Sequence, residues 1–94
     1  MESLCRSLIA AFVFLELSGD DVVDPDSAIS AAEGIAAELQ GASLEERTAF
    51  VRVCEQEAAT SRDQRFAHFV AGLPYSTGLI DDEAKQFIQA DVAS

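Results

Sequence analysis

The chain has no tryptophan, one tyrosine, one histidine, two cysteines and two prolines, and its six basic residues face seventeen acidic ones. Each scarcity excludes something. One histidine and two widely separated cysteines cannot make the Cys/His clusters that hold zinc. Two cysteines are also too few for a disulfide framework. So few bases, without aromatic interleaving, leave no electrostatic footprint for nucleic acid, and no glycine-rich phosphate loop is present. The apolar run Leu8–Leu15 is far too short to span a bilayer. It follows Arg6 as a signal peptide's core would, but Glu2 and Glu16 flank it and no small-residue cleavage site follows. A core helix and a cytoplasmic chain are the expectation, with no membrane partner.

What is present is apolar and acidic. The 94 residues are 49% hydrophobic, which excludes disorder despite a net charge of −11. Residues 1–94 read as a single domain. A chain of this size buries roughly 60–65% of the surface its unfolded form exposes, so its core is thin. Alanine supplies much of the apolar content, and six phenylalanines with Leu, Ile and Val anchor it. The charge is unevenly placed: between Arg6 and Arg47 there is no base, while Glu16, Asp20, Asp21, Asp24, Asp26, Glu33 and Glu38 fall in that interval. Such a region repels nucleic acid and anionic membrane and attracts basic protein surfaces. It also keeps a small protein soluble.

Helical punctuation divides the chain. Ser3 to Leu17 is apolar almost all round, as a central helix is, or one with a second face for a partner. Ser18-Gly19 ends it. Asp24-Pro25 opens a second helix, with Asp24 as cap, Pro25 at the first helical position and Asp26 at the positive end of the dipole. Its stripe is Ala28, Ala32, Ile35 and Leu39, widened by Ile29 and Ala36, and Gly41 closes it as the C′ residue. Gly34 at mid-helix predicts close approach to a neighbouring helix. Ser43-Leu44-Glu45-Glu46 is a capping box for a third helix running to about Ala59, with Phe50, Val51, Cys54 and Ala58 inward. Ser61 to Gln64 repeats that pattern for a fourth, buried through Phe66, Phe69, Val70 and Leu73 and stopped by Gly72 and Pro74. Asp81-Asp82-Glu83 opens a short fifth helix. No useful stretch alternates as a half-buried strand does. The expected fold is all-α, a compact bundle of four to five short helices with short connections between antiparallel neighbours.

Few residues are placed for chemistry. The acidic loop Asp20–Asp26 fails the EF-hand order, because Val22 and Pro25 occupy the third and sixth positions counted from Asp20. Counted from Asp24, Ala28 and Ile29 occupy the fifth and sixth. No metal or cofactor is expected, and helix capping accounts for Asp24 and Asp26. His68 lies between Phe66 and Phe69 with no nucleophile beside it and reads as partly exposed and non-functional. Glu45/Glu46 and Asp81/Asp82 sit at helix starts, where they meet the dipole rather than a cleft. Arg62 and Arg65 read as partners of Asp63 or neighbouring acids. Cys5 and Cys54, each in an apolar helical stretch, read as a buried reduced pair, with a disulfide between the first and third helices as the alternative. Tyr75, after Pro74 in a turn, reads as an exposed interface anchor.

Size, strong acidity, the all-helical pattern and the turn Gly72-Leu73-Pro74-Tyr75 resemble the small acidic helical immunity proteins that bacteria pair with secreted toxins, including those of type VI secretion and of nuclease bacteriocins. The resemblance implies a non-enzymatic protein whose acidic surface blocks a basic toxin; some members are dimers. The expected partner-binding residues are Glu16, Asp20, Asp21, Asp24, Asp26, Glu33, Glu38 and Tyr75, facing a basic protein. The alternative is a homodimeric structural or adaptor protein docking through its apolar first helix. DNA mimicry is weaker, because six bases interrupt the acids.

Overall fold

A computed structural model describes residues 1–80, and the expected fifth helix lies outside the described residues. Among the described residues the fold is an all-α bundle of four helices: α1 (Glu2–Leu17), α2 (Pro25–Gln40), α3 (Leu44–Thr60) and α4 (Gln64–Ser76). α3 and α4 pack most extensively on each other. α1 touches all three other helices, which accounts for much of its apolar surface, while Leu4 and Phe14 stay exposed. α2 rests mainly on α1 and only sparsely on α3 and α4.

The core is a continuous cluster in which Cys5, Ile9 and Phe12 of α1 meet Phe50, Val53 and Cys54 of α3 and Val70 and Leu73 of α4. Cys5, Ile9 and Phe12 recur at helical spacing, so they form one stripe. Phe12 and Phe50 meet with ring centroids 6.4 Å apart and planes tilted by 59°, a favoured edge-biased arrangement. Each large side chain buried here contributes about 1.5–3 kcal/mol. Both cysteines are free buried thiols.

The helix starts follow local chemistry. The Asp24 carboxylate accepts from the Ser27 backbone N–H at 2.9 Å, and Pro25 supplies the fixed φ of the first helical turn. Ser43 and Glu46 form a reciprocal capping box at 3.1 and 2.9 Å. α4 differs from expectation: Asp63, not Ser61, is its cap and accepts from the N–H groups of Arg65 and Phe66. Ser61 instead closes α3, donating its N–H to the Glu57 carbonyl. A carboxylate is the stronger acceptor for two orphan amides.

Several other expectations are corrected. α4 is not stopped by Gly72 and Pro74; it runs through both to Ser76. Proline near the end of a helix removes one hydrogen bond where few remain to lose, and here its ring is buried. The stop is Gly78, at φ +81°, in a Schellman motif. The Gly78 N–H reaches the Tyr75 carbonyl at 3.0 Å and the Leu79 N–H reaches that of Pro74 at 3.0 Å. Gly41 is the cap residue of α2 in a right-handed conformation, not a left-handed C′ glycine. Gly34 marks no close helix approach, since a Cβ there would meet open space. Ile29, expected to widen the buried stripe, is 53% exposed. In α3, Ala49 and Val53 join Phe50 and Cys54 inside, while Val51 and Ala58 are half-buried.

Candidate partner-binding face

The expected acids divide by role. Asp24 is committed to the helix start: its carboxylate takes both the backbone N–H and the hydroxyl of Ser27, which hold its pKa below the ordinary 3.8. Asp20, Asp21 and Asp26 are exposed around the α1–α2 connection. That connection is a tight turn in which Val22 and Val23 N–H groups both reach the Gly19 carbonyl, leaving Val22 63% exposed at its tip. Among the described residues, no three His, Cys, Asp or Glu converge as a metal site would require.

Glu16 and Glu33 come together at one cleft between α1, α2 and α4. Its floor is Phe12, Ala32, Ala36, Phe69 and Leu73, with Ile29 at the side, and it encloses roughly 240 Å³. Periodicity explains both acids. Glu16 follows Phe12 by one turn and so continues the buried stripe of α1, while Ile29, Glu33 and Ala36 share a face of α2. The cleft exists because α2 offers alanine where it passes α4, and small side chains do not fill the gap. At its lower edge the Gln40 amide donates to the Thr77 carbonyl at 2.8 Å, tying the end of α2 to the end of α4.

Glu38 is exposed but lines a different apolar cleft, with Leu8, Ile35, Leu39 and Ala42. Tyr75 is half-buried in the last turn of α4, not exposed in a loop. It also lies far from the acidic loop. The Arg65 guanidinium donates to the Leu17 carbonyl at 3.3 Å, fixing the start of α4 beside the end of α1. Ten residues onward, Tyr75 is about 15 Å further along the helix axis. Arg65 therefore serves the carboxyl end of α1, where a cation meets the negative end of the dipole, rather than pairing with Asp63. His68 is exposed.

Two features had no signal in composition alone. One is the apolar floor of the cleft. The other is an exposed apolar group at the opposite end of the bundle, made by Met1, Leu4 and Leu44 at 55%, 70% and 73% exposure. Met1 and Leu4 line a cleft of roughly 350 Å³ with Leu8, Leu39 and Phe50, and Cys5 lies in its wall.

No protein-family profile, curated protein or solved structure matches the chain. No helix among the described residues is long and apolar enough to cross a membrane.

Proposed function

We propose that the chain is a non-enzymatic protein-binding module, a cytoplasmic immunity or inhibitor protein that neutralises a basic toxin through its acidic surface. One observation carries this: residues 7–46, which include all of α2 and most of α1, contain no base, while Glu16, Asp20, Asp21, Asp26, Glu33 and Glu38 are all exposed. A surface of one sign steers an oppositely charged partner and raises its association rate.

The test is binding to the product of a toxin gene encoded beside this one, measured across ionic strength. Association slows as salt rises, because screening shortens the reach of the field. Reversal of Asp20, Asp21 and Asp26 to lysine lowers the association rate. Asp24 stays unaltered, since its replacement confuses loss of charge with loss of a helix cap, and an unchanged melting profile shows that reversal of Asp26, in the first turn of α2, has not cost the helix. Binding indifferent to these reversals and to salt sinks the proposal.

The exposed Met1, Leu4 and Leu44 favour a second reading, a homodimeric adaptor docking through the start of α1. Self-association without any partner and insensitive to salt would support it.

A further inference from the structure

We propose that the cleft between α1, α2 and α4 is an anchor site for a partner protein's arginine or lysine standing beside a bulky apolar side chain. The proposal rests on the acidic-surface reading above and names what that surface grips. The floor is apolar, and the polar side chains that line it, Glu16, Glu33, Ser76 and Thr77, present acceptors. Among the described residues, neither Glu16 nor Glu33 is in an ion pair or hydrogen bond. The Thr77 and Ser76 hydroxyls donate to the Leu73 carbonyl of their own helix at 2.6 and 3.4 Å. Arg65, one turn before Phe69, is the nearest cation along α4, and it is occupied at the Leu17 carbonyl. An occupant must therefore bring its own donors, and a guanidinium or ammonium supplies them in charge-assisted form.

The size suits one side chain and is too small for a drug-sized ligand. An apolar cavity of about 150 Å³ holds benzene, whereas drug-sized ligands fill pockets of about 300–1,000 Å³. At roughly 240 Å³ the cleft takes one ring or branched aliphatic group with a cation at its mouth. Binding hot spots have this construction, an anchor in an apolar pocket with charge at the edge.

Phenethylguanidinium serves as the probe and phenethyl alcohol as its neutral counterpart, each titrated into the isotope-labelled protein by NMR. The cation shifts the resonances of Ile29, Ala32 and Ala36 and binds more tightly than the alcohol. The double substitution E16Q/E33Q weakens it about three- to tenfold, as expected for two partly screened carboxylates, and brings it level with the alcohol. A36M fills the cleft and removes the response to both, with an unchanged melting profile showing that the fold survives. Equal binding of the two compounds, or largest shifts around Met1 and Leu4, overturns the proposal. With the basic toxin as ligand, loss of binding in the Asp20/Asp21/Asp26 reversal but not in E16Q/E33Q or A36M refutes the anchor and leaves the acidic-surface reading standing. Preferential cation binding at the cleft, with no toxin responding to the reversal, does the opposite.

Discussion

The Gln40 amide lies 2.8 Å from the Thr77 carbonyl and stands against Gly78, where an added Cβ would fall 2.5 Å from the same nitrogen. One side chain thus joins α2 to α4 and crowds the glycine whose positive φ ends α4. G78A is expected to destabilise by roughly 1–3 kcal/mol, from a left-handed φ and the displaced amide. Q40A should cost about 0.5–1.5 kcal/mol for one hydrogen bond. Because the two residues meet, the double variant should be less unstable than the sum by about 0.5 kcal/mol or more. Urea unfolding of the four proteins measures this; strict additivity would separate the clamp from the turn.

Acid should loosen the helix starts. Asp24 and Glu46 have pKa values below the ordinary 3.8 and 4.5, chiefly through backbone N–H bonds from Ser27 and Ser43 and then through contacts with the same residues' side chains. A depressed folded pKa means the stabilisation is complete above the unfolded value and disappears as pH falls through the folded one. The melting temperature should therefore decline below about pH 4.5. D24N keeps a capping oxygen but cannot titrate. Its melting temperature should change less between pH 5 and 3 than the parent's.

Cys54 is fully buried, and burial together with neighbouring Cys5 pushes its thiol pKa up to about 12. The thiolate is the reactive form. Iodoacetamide at pH 8 should leave Cys54 unmodified in the native protein and alkylate it in urea, as mass spectrometry would show. Stability should fall from pH 9 upward, because the unfolded thiol ionises there and the folded one does not.

Phe50 is 1% exposed and meets Phe12. F50A should cost about 3–5 kcal/mol through lost burial and an unfilled cavity, a large part of the 5–15 kcal/mol typical of a domain. F50L, which removes less volume, should retain cooperative melting. Calorimetry of both variants is the check.

Leu4, at 70% exposure, contributes little to the core. L4D should leave the melting temperature nearly unchanged, within the roughly 0.5 kcal/mol common for surface substitutions. If the start of α1 joins two copies, the same change should make the protein monomeric in sedimentation at concentrations where the parent is not.

The capping residues Asp24 and Ser43 were legible in sequence because a cap depends on neighbours within three positions. The end of α4 was not. Gly72 and Pro74 carry the usual stop signals, yet Pro74 needs only the loss of one late hydrogen bond, and the positive φ falls at Gly78. Gly34 faces open space; a small residue identifies room for an approach without saying which face receives it. The acids Glu16 and Glu33 were named from charge, but their shared cleft depends on how far α2 stands from α4. That spacing is set by packing between elements remote in sequence. Tyr75 followed the same logic: the longer α4 carries it into a half-buried position.

Every buried side chain in residues 1–80 is apolar except Thr77, whose hydroxyl proton is held by its own helix. The interior of the described residues therefore holds no charged group, and the acids lie outside it. Charge changes at the exposed Asp20 and Asp21 should thus reach solvent and leave the packing of Phe12, Phe50 and Val70 as it was.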